Sequence, residues 1–288
     1  MLNIENEFLK VEIHPSGAEL QKIFNKVNKK EILWQGDPSF WSRRAPILFP
    51  IVGRLADERM YYHGKKYTMS QHGFARDMEF FLESATESSI SLVCFSNEQT
   101  LKSYPFEWKL NCKYLLDQHQ LKVSAIVTNT STKDLMYFSI GFHPAFTVPI
   151  EDYLSFDDYY LAFNSDEQAN KWKLANGLID IPDGLGIDKS MIRFTKDTFL
   201  RDALVFKGLN SNKVTLQSDK GPSKLIFTFD NYPYLGIWSK PGAPFVCIEP
   251  WHGIADSTTH EGEFTKKEGI KKLNPTGSFE CGYTIEII

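Results

Sequence analysis

Trp108-Lys109-Leu110-Asn111-Cys112-Lys113-Tyr114-Leu115-Leu116 and Leu121-Lys122-Val123-Ser124-Ala125-Ile126-Val127, separated by Asp117-Gln118-His119-Gln120, decide the fold class. In the first run Trp108, Leu110, Cys112, Tyr114 and Leu116 alternate with Lys109, Asn111 and Lys113. In the second, Leu121, Val123, Ala125 and Val127 keep the same period of two. That period places one set of side chains on a core and the other toward solvent, as a strand does. The four residues between the runs then read as a hairpin turn. The pattern recurs in both directions. Leu9, Val11 and Ile13 alternate with Lys10, Glu12 and His14 before Pro15-Ser16-Gly17 turns the chain. Leu225, Phe227 and Phe229 repeat it, and Cys281, Tyr283, Ile285 and Ile287 close the sequence. Turn residues punctuate such runs roughly every 8–12 residues, the spacing of an all-β sandwich. Helical periodicity is nearly absent; the short candidate is Asn97 to Leu101, with Asn97 as N-cap. No Pro/Gly/Ser-rich linker, low-complexity segment or fixed-period repeat divides the chain, so a single domain over residues 1–288 is expected.

Composition narrows the function classes. Hydrophobic residues make up 42% and charged residues 24%, as in an ordinary globular protein. A chain this long buries enough surface to need no disulfide or metal staple. The net charge of −4 is scattered, and no Lys/Arg block suits a phosphodiester backbone, which argues against nucleic acid as a partner. The 22 Phe, 12 Tyr and 6 Trp suit pleated strands, and most of them read as core. Rings of this kind also suit the apolar face of a sugar. Cys94, Cys112, Cys247 and Cys281 are far apart and form no C-x-x-C pair, so no zinc or redox motif is indicated. Those within strand patterns read as small buried hydrophobes. Met1-Leu2-Asn3-Ile4-Glu5-Asn6-Glu7 lacks the basic and apolar regions of a signal peptide. No run approaches the roughly eighteen apolar residues of a membrane span. A cytoplasmic protein without a membrane partner is expected.

Four stretches combine a titratable group, an aromatic ring and a backbone breaker: residues 44–50, 71–77, 141–146 and 248–253. That combination suits the rim or floor of a cleft on a β scaffold. His14, His63, His119 and His260 have polar or turn-like neighbours and read as surface residues. His72, His143 and His252 are flanked instead by Gly, Pro or aromatic residues. With Glu249 they allow two readings. A metal site would bring two histidines together as H-x-H or H-x-x-x-H, and neither spacing is present, so no metal is expected. The other reading is a metal-free acid–base pair, in which a histidine gives a proton and a carboxylate takes one. No G-x-S-x-G elbow, exposed electropositive cysteine, P-loop or dinucleotide fingerprint is present to support other chemistries.

In their order and spacing these stretches resemble the aldose 1-epimerases, or galactose mutarotases, and in particular their bacterial LacX-like branch. The resemblance rests on R-x-P-I-L-F-P-I-V-G-R at 44–54, H-G-F-A-R at 72–76, G-F-H-P-A-F at 141–146 and I-E-P-W-x-G at 248–253. Gly269-Ile270, Leu273 and Pro275 extend it into the tail. It implies a large antiparallel β-sandwich, the galactose mutarotase-like supersandwich, and an isomerase of a small-molecule sugar that uses no cofactor. By the resemblance, His143 is the general acid, Glu249 the general base, and His72 binds and orients the sugar. Asp202, in Arg201-Asp202-Ala203-Leu204, matches a sugar-binding aspartate loosely and reads equally as a solvated turn residue. Trp251, Phe74 and Trp238 are rings for the sugar face or for the core. Arg44 and Arg76 match arginines that hold phosphate in related hexose-6-phosphate mutarotases, with Arg54 close by. A guanidinium fork suits phosphate, hydroxyls or a structural carboxylate, so an aldohexose and its 6-phosphate both stay open as substrate. A third reading, a non-catalytic sugar-binding or sensing protein on the same scaffold, needs neither proton donor nor base.

Overall fold

Strands Trp108–Asp117 and Gln120–Asn129 pair antiparallel from Trp108↔Asn129 to Asp117↔Gln120 in a computed structural model that describes residues 1–288. Gln118, with φ of 52°, makes the turn. The pair lies inside a nine-stranded sheet, flanked by Ser89–Phe95 on one side and the closing strand Ser278–Ile287 on the other. A second, eight-stranded sheet is centred on Phe245–His252, which pairs with Tyr234–Trp238 along one edge. Along its other edge run Ile140–Phe142 and Ala145–Thr147. All strand ladders are antiparallel. The two sheets face each other across a core of 64 buried residues running from Ile4 to Ile287. Phe142 meets Tyr283 at 5.0 Å and Phe146 meets Phe227 at 5.8 Å between ring centroids across that gap. The architecture is the large antiparallel β-sandwich that the alternation implies.

The same alternation builds the opposite face of the eight-stranded sheet. In Phe245–His252, Val246 and Ile248 enter the main core, while Cys247, Glu249 and Trp251 point the other way. Every residue of this strand is buried, because loops cover the outer face as well. The segment Ile248-Glu249-Pro250-Trp251 is therefore strand interior and not a loop. Helix Glu98–Ser103 is the only α-helix. Asn97 caps it, its Oδ1 accepting from the Gln99 and Thr100 amides at 3.0 Å. The four cysteines are free and buried. No helix is long and apolar enough to cross a membrane.

The histidines divide differently from their sequence reading. His14 and His63 are exposed, but His119 is half-buried with its ring 3.9 Å from that of Phe8. His260 is tucked toward Asp256, with Nε2 3.9 Å from Oδ1. His252 points to the core side of its strand, packed on Tyr232 at 4.4 Å and against Phe279 at 4.9 Å, so it is not part of the site below. Burial, then the nearby Lys271 charge, pushes its pKa down to about 3. Below an unfolded-state value of about 6.5 the unfolded chain takes up a proton here that the folded chain refuses. Stability therefore falls as pH drops from there toward 3. Urea unfolding near pH 7 and near pH 4.5 is expected to show this loss, and His252→Phe to remove part of it; equal losses in both proteins would refute the assignment.

Candidate active site

On the outer face of the eight-stranded sheet lies a cavity of about 450 Å³. Its floor is sheet: Glu249 and Trp251, with Trp238 and Val205 from neighbouring strands. Its walls are loops carrying Trp41, Gly53, Gln71, His72 and Arg76, and the segment Ile254–Ala255. Hairpin residues Leu174, Gly177 and Ile179 close one side beside Asp202 and Ala203. Trp251 lies flat because the strands on either side have glycine beneath it. A Cβ on Gly141 would stand 2.6 Å from Trp251 Cδ1, and one on Gly236 would stand 2.5 Å from its Cζ2 and Cη2. Neither fits without moving the ring.

His143 follows strand Ile140–Phe142 directly, and its amide donates to the Pro46 carbonyl at 3.2 Å. Its Nε2 lies 3.1 Å from Oε2 of Glu249, both side chains being almost wholly buried. Burial pushes the His143 pKa down to about 3, opposed by a local backbone hydrogen bond and reinforced by Arg76 and Arg43. Burial also pushes Glu249 well above the carboxylate range, helped by the negative charge of Asp202. The nearby Trp251 indole N–H draws Glu249 back a little. Both shifts run the same way, toward a carboxylic acid beside a neutral imidazole and away from two buried charges.

His72 stands edge-on to His143 at 5.8 Å. Its Nδ1 accepts from the Gly53 amide at 3.1 Å, which leaves the N–H of a neutral ring on Nε2. Burial keeps it neutral, with help from His143, Arg76 and Arg43. Arg76 lines the cavity, with Nη2 on the Gln71 carbonyl at 2.7 Å and a buried Nε that makes no hydrogen bond and lies 3.9 Å from the Asp77 carboxylate. Asp202, with φ of 89°, stands at the rim, its Oδ1 on the Ala203 amide at 2.8 Å.

Two residues expected here lie elsewhere. Arg44 turns away: it donates to the Gln21 side chain and to the Gln35 carbonyl, while its amide is held by Glu19 at 2.8 Å. It braces the loop that carries Trp41. Phe74 packs on Phe49, Tyr104 and Trp108 in the main core. Arg54, also outside the cavity lining, donates to the Asn176 carbonyl at 3.3 Å.

Two further features escape a reading of the sequence. Trp41 stacks on His143 at 4.9 Å and meets Trp238 at 5.6 Å; its place directly after the turn-rich segment Asp37-Pro38-Ser39-Phe40 is its only signal. Asp256 and Lys267 look like members of a solvated run but are fully buried, paired at 2.8 Å. Lys267 also donates to the Ile254 carbonyl at 2.5 Å, and Asp256 accepts the Ala56 amide at 2.9 Å. Together they fix the Ile254–Ala255 wall.

A large antiparallel sandwich of this kind is the galactose mutarotase-like fold. Residues 1–270 match the family described as Aldose 1-epimerase, and the chain belongs to that family. It is 32% identical to protein LacX (plasmid) of Lactococcus lactis subsp. lactis, an alignment covering all of this chain and 99% of that protein. Solved structures agree. A galactose mutarotase related enzyme from Lactobacillus acidophilus superimposes with a TM-score of 0.95 at 35% identity, covering 100% of this chain and 97% of the other. A galactose mutarotase-like protein from Lactobacillus casei ATCC 334 gives 0.93 at 33% identity, with both chains fully covered.

The glycine seat of Trp251 is open to test. Gly236→Ala should overpack the floor and cost about 1–3 kcal/mol in urea unfolding; an unchanged midpoint would show that the ring is free to move.

Proposed function

We propose that this chain is a cytoplasmic, cofactor-independent aldose 1-epimerase, one domain over residues 1–288, that interconverts the α and β anomers of an aldohexose. The observation that carries this reading is the buried 3.1 Å contact between His143 and Glu249 on the floor of a sugar-sized cavity. A hemiacetal ring opens when its anomeric hydroxyl loses a proton and its ring oxygen gains one. With the pair's proton on His143, Glu249 takes the hydroxyl proton while His143 gives its own to the ring oxygen. The pair then stands as a carboxylic acid and a neutral imidazole, the form that burial favours. The site is thus electrostatically matched to the ring-opened state, and the polar atoms of a bound sugar supply the solvation that the charged form needs. Rotation about C1–C2 presents the other carbonyl face, and reversal of both transfers closes the opposite anomer.

The surrounding groups take supporting roles in this reading. His72 Nε2–H and Asp202 hold hydroxyls, and Trp251 carries the C–H face of the ring. Glu249→Gln and His143→Asn should each lower the anomerisation rate about 10²–10⁴-fold, followed by polarimetry; near-normal rates in either would remove the assignment. The pair works only while it holds one proton. A second proton leaves no base, and loss of the first leaves no acid. Because burial pushes His143 down to about 3 and Glu249 up, kcat/KM should not fall as pH drops through the ordinary histidine value of about 6.5, its acid limb lying well below that value. A limb near 6.5 would mean that His143 titrates as an exposed residue.

One observation favours a 6-phosphate as the natural form of the sugar: Arg76 lines the cavity with a buried Nε that makes no hydrogen bond, its nearest carboxylate, that of Asp77, being 3.9 Å away, and a phosphate oxygen would satisfy that N–H. Anomer-resolved NMR on glucose, galactose and their 6-phosphates separates the two. A phosphate preference of about tenfold or more that vanishes in Arg76→Leu supports the phosphorylated substrate; equal rates leave the free sugar.

A further inference from the structure

Cys247 stands two residues before Glu249 on the same face of strand Phe245–His252, because side chains i and i+2 of a strand point the same way. Its backbone partner in the neighbouring strand is Ala145, which brings the preceding turn and His143 alongside. A ring nitrogen of His143, the Cys247 sulfur and a Glu249 carboxylate oxygen consequently all lie within 4.8 Å of one another, and all three residues are buried. We infer that these three side chains form a binding site for a thiophilic divalent cation of the Zn²⁺/Cd²⁺ class, and that its occupancy switches the enzyme off.

Three arguments support the site. Thiolate sulfur, imidazole nitrogen and carboxylate oxygen are each donors that Zn²⁺ takes, and three protein ligands with an open fourth position is an arrangement it adopts. Two of the three ligands here, His143 and Glu249, line the cavity. The geometry is close to what the ion needs. Bond lengths of about 2.0–2.3 Å in a tetrahedron set donors roughly 3.3–3.8 Å apart, so closing onto the ion takes side-chain shifts on the order of 1 Å. The charges also balance. A thiolate and a carboxylate neutralise the dication, so the complex buries no net charge in a pocket where a lone charge would be expensive. Binding releases the thiol proton and the proton shared by the pair to solvent. With a single oxygen donor, the set does not suit Mg²⁺ or Ca²⁺. None of this shows in the usual motif spacings, because the ligands are C-x-E along one strand and a histidine from the turn beside it.

The binding half of this inference rests on the ligand geometry alone; the inhibition half rests on the acid–base reading of the pair. Occupancy would remove donor and acceptor at once, since both lone pairs are engaged by the ion.

Titration of the intact protein with Cd²⁺ separates the two halves. The ultraviolet charge-transfer band of a Cd–thiolate bond should grow to one ion per chain and reverse with EDTA. Cys247→Ala should abolish the band and weaken binding by more than the ~10–100-fold that loss of an outer-shell partner costs. Cys247→Ser, nearly the same size, gives the same readout if the alanine variant folds poorly. In polarimetry, each protein compared with its own uninhibited rate, wild type should lose activity in step with the band while Cys247→Ala does not. Absence of the band, or equal Cd²⁺ inhibition of wild type and Cys247→Ala, overturns the site. A normal band in a protein that shows no anomerisation would leave the site standing and sink the mutarotase reading instead.

Discussion

A buried imidazole held 3.1 Å from a buried carboxyl is the constraint around which the rest of the molecule is arranged. Either group alone would be a costly thing to bury; together at 3.1 Å each satisfies the other without a net charge. Apolar groups close round the pair except where it meets the cavity. Ile248 and its neighbours in the core lie beneath it. Trp41, stacked on His143, and Trp251, beside Glu249, flank it on the cavity side.

Strand Phe245–His252 is where fold and chemistry meet. Its even residues face the sandwich core and its odd residues the opposite face, where Glu249 and Trp251 line the cavity, so a shift of register by one would place Glu249 in the hydrophobic core and Ile248 in the site. The ladders to Tyr234–Trp238 and Ala145–Thr147 on either side hold that register. The loop walls have no ladder of their own, and buried polar contacts take its place. Lys267 with Asp256 ties down the wall at Ile254 and Ala255, and Glu19 with Arg44 ties down the loop bearing Trp41. A buried ion pair adds little net stability, but removing one partner strands the other's charge. Such contacts therefore specify a conformation more than they strengthen it.

The parts that were legible in the sequence are those written in local pattern. Alternation over residues 108–127 announces its hairpin because each side chain's environment follows from its parity. Asn97 announces its helix because a cap is a contact over two or three residues. The stretches around His72, His143 and Glu249 stood out because titratable groups beside glycine, proline and rings are rare. Where the reading went astray, the deciding contact was long-range. Arg44 sits in the same kind of stretch as Arg76, but Gln21, Gln35 and Glu19 draw it away, and nothing near it in the chain says so. Phe74 adjoins His72, yet its ring belongs to Phe49, Tyr104 and Trp108. Asp256 and Lys267 resemble solvated charges until the fold buries them face to face. His252, one position beyond Trp251, lands on the wrong side of the sheet by parity alone.

The flat seat of Trp251 on two glycines bears on what such a pocket must tolerate. A catalyst that equilibrates two anomers has to accept both as substrate and both as product, although they differ only in the direction of one hydroxyl. A planar, immobile aromatic surface offers no hydrogen-bonding direction of its own, so it is indifferent to stereochemistry at the carbon under conversion. Directional contacts are left to the perimeter, where His72, Arg76 and Asp202 stand. On the proposed reaction, tolerance at C1 and selectivity at the other carbons would come from different surfaces.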